Sequence, residues 1–219
     1  MRPALFLLVP ATMITASAAE TPVSYRTVIG KTLVEEHFAA TTLPTAWTAP
    51  KGTWTVVDGA LEGREKPEDE HNAVFLSKQT LPATLVPKTD VRFDGATALL
   101  FNGPAGHVCR VTMTPNGFTL TGDKDKKDDA DKAAVLAKVE QKFTAGEWYH
   151  LTIEITGDEM LAWTDATHVG YGRNAKIARD KSAVGISLAK QSGRIDNLII
   201  SAAEPDAAWA EHKTALGIR

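Results

Sequence analysis

Short segments of alternating apolar and polar residues follow one another along most of this chain, and they constrain its fold more than any other feature. From Tyr149 to Thr156 the alternation is unbroken, which places one side of a β-strand in a core and the other in water. Turn sequences separate such segments at Asp58-Gly59 and Pro115-Asn116-Gly117. Because no helical period is interleaved, the pattern predicts an all-β sandwich of two antiparallel sheets.

Two segments depart from this pattern. A run of Asp and Lys from Gly122 to Asp131 precedes Val135–Val139. This region is either a solvated loop with a helical turn or a strand entered through a charged loop, and we favour the strand. Residues 205–213 begin with a proline and continue with good helix formers, which predicts one short C-terminal helix packed on the sandwich.

The N-terminus has the features of a secretion signal. Arg2 precedes an apolar run, and Ala16-Ser17-Ala18 supplies small residues for cleavage. The apolar run is too short for a membrane-spanning helix and contains Pro10. We therefore expect a signal peptide at 1–19, a sandwich domain at 20–202 and a helical tail at 203–219, in a protein that is secreted or periplasmic and not inserted in a membrane.

Composition narrows the classes of partner. The chain has 219 residues, of which 43% are hydrophobic, so one sizeable core is expected. A net charge of −3 argues against nucleic acid as a partner. Cys109 is the single cysteine, which excludes an intrachain disulfide. Because it alternates with Val111 and Met113, we expect it to be a buried small hydrophobe.

A polar turn interrupts two apolar strand patterns between Asn102 and Arg110. An amide, the His107 imidazole and a guanidinium surround the short segment from Gly103 to Gly106. Planar groups with several hydrogen-bonding atoms are suited to saccharide hydroxyls. Asn102 and Arg110 are therefore candidate substrate-binding residues, and His107 is a candidate catalytic residue. The alternative is a hairpin whose polar residues simply face water. Strand register decides whether Asn102 shares a face with His107 or with Arg110.

An acidic run from Glu65 to Asn72 follows the first hairpin. Glu65 and His71, at the edges of strands, are candidate catalytic residues because a general acid and a general base act on glycosidic bonds. The competing interpretation is a charged surface loop, which we favour for Glu68, Asp69 and Glu70.

No cofactor is predicted. The acidic segment after Gly122 lacks the glycine and closing glutamate of a calcium loop. Asp196, near the end of a late strand, is a weaker candidate for a structural calcium ligand. The histidines have no zinc-protease spacing, and no phosphate-binding glycine loop is present.

Each tryptophan could be either a buried core residue or an exposed residue that stacks on a sugar ring. Trp54 and Trp163 fall in alternating strand segments, which predicts burial. Trp148 follows Gly146-Glu147 at a strand start, where we expect a packing anchor.

Several of these segments together resemble a known family. Residues 52–61, Phe101-Asn102-Gly103, Gly146-Glu147-Trp148-Tyr149 and Ile195-Asp196-Asn197-Leu198 occur in the order seen in the 3-keto-disaccharide hydrolase domain family. That family belongs to the concanavalin A-like lectin/glucanase superfamily. The resemblance implies a jelly-roll sandwich with a carbohydrate site on a concave face. Asn102, Gly103 and Arg110 match the family's Asn-Ser-Gly segment and following Arg, although residues 104–107 lengthen the turn here.

The resemblance implies an exported carbohydrate-active protein that hydrolyses or eliminates a 3-keto-glycoside by acid–base chemistry, with a saccharide as partner. A ring ketone acidifies the neighbouring carbon-bound proton, so one acid and one base suffice. The paired-carboxylate pattern of laminarinase-type hydrolases, Glu-x-Asp-x-x-Glu, is absent from the sequence. The alternatives are a non-catalytic, lectin-like carbohydrate-binding module and a cell-surface interaction domain.

Overall fold

The computed structural model describes residues 24–103, 108–124, 128, 130–178 and 183–218. The expected signal peptide at 1–19 and the candidate His107 lie outside the described residues. Within them, no helix is both long and apolar enough to cross a membrane.

Strands account for most of the described structure. They are β1 (Thr27–Glu36), β2 (Trp47–Lys51), β3 (Thr53–Val57), β4 (Ala60–Arg64), β5 (Ala73–Ser77), β6 (Leu85–Asn102), β7 (Cys109–Thr114), β8 (Gly117–Gly122), β9 (Ala134–Glu140), β10 (Trp148–Thr156), β11 (Glu159–Trp163), β12 (Val169–Arg173) and β13 (Gly185–Pro205). The α-helix of the described residues, α1 (Trp209–Ala215), follows β13. β9 confirms the strand predicted at 135–139, and β13 runs three residues beyond the expected domain boundary at 202.

Two long strands, β6 and β13, form the centre of the molecule. They pair antiparallel along nearly their whole length, from Asn102 opposite Gly185 to Leu85 opposite Ala202. The pairing is irregular between Ala189 and Ser192. The ladder therefore divides into two halves, and each half is extended by a different set of strands.

The first half of β6 and the second half of β13 belong to sheet I, whose strand order is β12-β11-β10-β6-β13-β1. The other halves belong to sheet II, whose order is β9-β8-β7-β6-β13-β5-β2. The β3–β4 hairpin attaches to β13 at Gly193–Ile195. All of these pairings are antiparallel, which confirms the predicted all-β sandwich with a short C-terminal helix.

Apolar side chains from both sheets form one core. Leu99, Phe101, Val111 and Cys109 contribute from sheet II. Sheet I contributes the apolar phase of β10, including Ile153. Since alternate residues of a strand point to opposite sides, the polar residues between these positions form the outer faces of the sheets.

The tryptophans divide between core and surface. Trp54 and Trp163 are buried, as predicted. Trp148 is 41% exposed, so the expectation that it anchors packing is wrong. The reason is strand phase, because Trp148 lies on the same side of β10 as His150 and Thr152 and not on the side of Leu151.

The segment before β1 and helix α1 cover part of the outer face of sheet I. Glu154 is fully buried there and accepts hydrogen bonds from the backbone N–H groups of Tyr25 and Arg26, both at 2.6 Å. Burial raises the pKa of Glu154, and these hydrogen bonds oppose the shift. Trp209 of α1 packs against Tyr171 with ring centroids 5.7 Å apart. The tail is therefore docked on sheet I.

We expect this docking to weaken at alkaline pH through Tyr171. Its hydroxyl donates to Glu159 at 2.5 Å, and burial together with this carboxylate raises the pKa of Tyr171 to about 12. The neutral phenol is thus favoured in the folded state. Its stabilisation is complete below the unfolded pKa of about 10 and is lost as the pH rises towards the folded value.

Below a pH of about 10, Tyr171→Phe should therefore lower the free energy of unfolding by about 1 kcal/mol. Above this pH, the free energy of unfolding should fall less steeply in Tyr171→Phe than in the wild-type protein. Thermal unfolding across this pH range measures both effects. Tyr149→Phe, in an exposed hydrogen bond to Glu147, serves as the matched control. An equally steep alkaline decline in Tyr171→Phe would contradict the assignment.

Candidate functional site

The two predicted binding residues lie opposite each other on sheet II. Asn102 of β6 pairs with Arg110 of β7, so both side chains lie on the outer face, in phase with Ser187 of β13. The Asn102 amide donates from Nδ2 to Ser187 Oγ at 3.1 Å. Its Oδ1 is buried and accepts no hydrogen bond from any residue in the described ranges. Of the two registers considered from sequence, the structure has the one that joins Asn102 to Arg110.

Arg110 is held by a carboxylate. Its Nη2 lies 2.6 Å from Oδ1 of Asp123, whose side chain is only 2% exposed, while that of Arg110 is 32% exposed. Burying a carboxylate without a counter-charge is costly. Arg110 therefore has a structural task, and only part of its guanidinium faces solvent.

The candidate catalytic residues Glu65 and His71 lie in another place, on a common groove of about 530 Å³. Glu65 follows β4, and its backbone N–H donates to the carbonyl of Lys190 at 3.2 Å. The Glu65 carboxylate is 3.9 Å from the Lys190 ammonium, with the two side chains 20% and 71% exposed. The remaining lining residues are Lys66, Pro67, Glu70 and Asn72.

His71 is oriented by its neighbour. Its Nδ1–H donates to the carbonyl oxygen of Asn72 at 2.8 Å. A carbonyl at this nitrogen fixes the proton on Nδ1 and leaves Nε2 as the atom that can exchange a proton with a ligand. The groove thus combines a carboxylate, an imidazole and an ammonium group.

The other acids of this segment have different surroundings. A single 3₁₀ turn at Pro67–Asp69 folds the segment back on itself. Asp69 accepts the backbone N–H of Gly52 at 2.6 Å, which ties the turn to the start of β3. Glu68 is exposed and does not line the groove.

The groove and the Asn102–Arg110 pair are not adjacent. Lys190, on the groove wall, lies five residues along β13 from Gly185, the partner of Asn102. At about 3.3 Å per residue the two places are roughly 16 Å apart. The structure therefore brings Glu65 together with His71, and Asn102 together with Arg110, but does not join all four around one sugar ring.

A second groove of about 390 Å³ lies beyond Arg110 on the outer face of sheet II. It is lined by side chains of β7, β8 and β9, including Thr112, Thr114, Phe118, Lys138 and Val139. The sequence analysis did not identify this groove. The signal for it was the alternation of threonines with core residues on both sides of the Pro115-Asn116-Gly117 turn.

Asp196, the weaker candidate for a calcium ligand, accepts local hydrogen bonds through its side chain and its backbone carbonyl. Its Oδ1 accepts the backbone N–H of Asn197 at 2.7 Å, and its carbonyl accepts Thr89 Oγ1 at 2.9 Å. Among the residues that the structure describes, no three His, Cys, Asp or Glu side chains are grouped so as to hold a metal ion.

Comparison with known proteins finds similarity to solved structures and not to known sequences. No protein-family model matches the sequence, and no curated protein is significantly similar to it. Carbohydrate-binding module CBM66 from Bacillus subtilis aligns at 16% identity with a TM-score of 0.57, covering 72% of this chain and 96% of the module. A Bacillus subtilis protein of unknown function with a galectin-like fold aligns at 9% identity and a TM-score of 0.61, covering 81% and 98%. Bacillus licheniformis beta-glucanase aligns at 10% identity and a TM-score of 0.58, covering 80% and 99%.

These likenesses define the fold class. The chain has a jelly-roll, galectin-like sandwich fold, which confirms the fold that the family resemblance implied. Identities this low do not transfer an activity, and membership of the 3-keto-disaccharide hydrolase family stays a prediction.

The Arg110–Asp123 pair gives a stability prediction. Arg110→Met leaves a buried carboxylate without this counter-charge, so we expect the free energy of unfolding to fall by about 2 kcal/mol, less than for a fully buried pair. Adding Asp123→Asn should restore part of the loss because it removes the negative charge that Arg110 compensates. Urea denaturation of both variants measures these changes.

Lys138→Met is the matched control, since Lys138 and Glu140 form an exposed pair 3.9 Å apart. Removing such a pair should change stability by less than about 1 kcal/mol. Equal effects in Arg110→Met and Lys138→Met would show that the Arg110 pair has no structural role.

Proposed function

We propose that this protein is an exported carbohydrate-active enzyme whose Glu65–His71 groove acts on a glycoside that carries a ring ketone. The observation that carries this proposal is the meeting of a carboxylate and an oriented imidazole on one groove, at two positions that the sequence names as candidate catalytic residues. Its support includes the fold shared with a beta-glucanase, the resemblance to 3-keto-disaccharide hydrolases and the signal-like N-terminus.

The chemistry assigns a role to each group. The Lys190 ammonium lies 3.9 Å from the Glu65 carboxylate and gives it a cationic partner. Glu65 takes the proton from the carbon between the ketone and the anomeric carbon. Electrons of that C–H bond form a carbon–carbon double bond as the bond to the leaving oxygen breaks. The leaving oxygen receives a proton from Nε2–H of the His71 imidazolium, whose Nδ1–H stays on the Asn72 carbonyl.

This step yields an unsaturated ketone and a free alcohol. Addition of water across the new double bond completes hydrolysis, whereas release before addition gives a lyase product. The groove opens to solvent, with an exposed Lys190 beside it, so water reaches the site for the second step. The distant Asn102–Arg110 pair would contact a further sugar unit of a longer substrate.

The activity prediction uses a 3-keto-disaccharide as substrate. Glu65→Gln and His71→Gln should each lower turnover by roughly 10²- to 10⁴-fold, the usual contribution of a general acid or base. Chromatography of the released monosaccharide measures turnover. Exchange of the substrate's acidic C–H in heavy water measures the first step by itself and should be lost in Glu65→Gln.

Glu68→Gln is the matched control, because Glu68 is an exposed acid beside the groove that does not line it. It should retain full activity. Undiminished turnover in both Glu65→Gln and His71→Gln would refute the catalytic roles.

A non-catalytic carbohydrate-binding module is the second candidate function. The specific observations in its favour are the fold shared with a carbohydrate-binding module and the separation of the two predicted pairs along β13. Saturable binding of oligosaccharides without any product or C–H exchange would favour this function over the enzyme.

A further inference from the structure

A second polar surface lies on sheet I, on the opposite side of the sandwich from the outer face of sheet II. We call it the Trp148 face and define it by Trp148, Arg92, Asp90, His150 and Asn197. Strand register places these residues side by side, with Trp148 opposite Arg92 and His150 opposite Asp90. The tail and the segment before β1 cover the Glu154 end of β10 and leave this end open.

An exposed indole is at the centre of this surface. The Arg92 guanidinium carbon lies 5.1 Å from the Trp148 ring centroid. Arg92 is in turn fixed by Asp94, with Nε–Oδ1 and Nη2–Oδ2 distances of 2.9 and 2.8 Å. Trp148 nevertheless remains 41% exposed. The Arg92 guanidinium thus contacts the Trp148 indole, and the rest of the exposed ring surface is accessible to solvent.

A row of hydrogen-bonding groups lies beside the indole. His150 Nδ1 donates to Asp90 Oδ1 at 2.9 Å, and Asn197 Nδ2 donates to Asp90 Oδ2 at 2.7 Å. His37 Nδ1 donates to the amide oxygen of Asn197 at 2.9 Å. The hydrogen bond from His150 lowers the pKa of Asp90. The carboxylate is therefore ionised at neutral pH and accepts hydrogen bonds.

The position of Asn197 depends on an irregularity in β13. The register of β13 with β6 shifts between Asp196 and Ile199, and Asn197 has a left-handed backbone with φ of 48°. Asn tolerates this conformation better than most residues. The bulge directs the Asn197 amide towards Asp90, where it joins the row.

Charge and polarity limit the class of ligand. Carboxylates outnumber cationic groups on and around this face, which disfavours anionic partners. The charged residues are Glu35, Asp58, Glu62, Asp90, Asp94 and Asp196 against Lys88, Arg92 and Arg194. A single indole among polar groups also lacks the contiguous apolar area of a protein–protein interface. An aromatic ring beside amide, carboxylate and imidazole groups suits a neutral sugar, whose C–H face stacks on the ring while its hydroxyls form hydrogen bonds.

We propose that the Trp148 face is a second saccharide-binding site, specific for neutral glycans and separate from the Glu65–His71 groove. The proposal goes beyond the proposed catalytic function and does not depend on it. The groove lies at the bend of β13, between the end of β4 and the start of β5, so one molecule would hold a glycan chain on sheet I while the groove receives another chain or chain end.

Titration calorimetry of the full mature chain with laminarihexaose, cellohexaose and xylohexaose tests the proposal, with an oligogalacturonate of the same length as the anionic probe. We expect at least one neutral probe to bind and the anionic probe not to bind. Trp148→Ala should weaken the binding by roughly tenfold or more, as for other aromatic anchors. Asp90→Asn should weaken it as well, because it changes the acceptor at the centre of the row.

Two controls separate this site from the others. Val135→Ala truncates another exposed hydrophobic residue, on β9 of sheet II, and should leave binding unchanged. Glu65→Gln should also leave it unchanged, whatever its effect on turnover. Binding that is lost in Glu65→Gln and retained in Trp148→Ala would overturn the proposal while leaving the groove intact. Failure of all neutral probes, or preference for the anionic probe, would overturn it too.

Discussion

The antiparallel ladder between β6 and β13 is the constraint on which the rest of the structure depends. One pair of strands serves both sheets, so every other strand is positioned relative to it. The ladder bends where Gly95, with φ of 106°, lies opposite an irregular stretch of β13. This backbone conformation is one that residues with a side chain rarely adopt, so the bend favours glycine at this point.

The same irregularities of β13 build the candidate sites. At the bend, Lys190 takes a left-handed conformation with φ of 69°, offers its carbonyl to Glu65 and places its ammonium near that carboxylate. Further along, the bulge at Asn197 brings an amide beside Asp90. Regular pairing would leave neither arrangement. This agrees with the general tendency of bulges to direct side chains at functional positions.

The strands were predictable because their signal is local. Alternation and turn residues predicted β7, β8 and β10 without knowledge of any partner strand, and β9 was the favoured of two interpretations. Trp148 was misassigned because its position at a strand start was weighed above its phase, although it lies in phase with His150 and not with Leu151. Glu65 and His71 are close in sequence and are joined by the 3₁₀ turn at Pro67–Asp69, whereas Lys190 on the groove wall comes from the distant strand β13. No local pattern encodes that contact with β13, nor the distance from Glu65 and His71 to Asn102.

The Arg110–Asp123 and Lys190–Glu65 ion pairs differ in how far their charges are available to a ligand. Asp123 is buried, so the charge of Arg110 is largely used in compensating it. At the groove the pair is longer and Lys190 is mostly exposed, so a ligand can approach both partners without leaving a buried charge uncompensated. Glu65 is therefore better placed than Arg110 to exchange a proton with a ligand or to change its ion-pair partner when a ligand binds. The guanidinium that looked most like a ligand contact in the sequence is, in the fold, first a counter-ion for the interior.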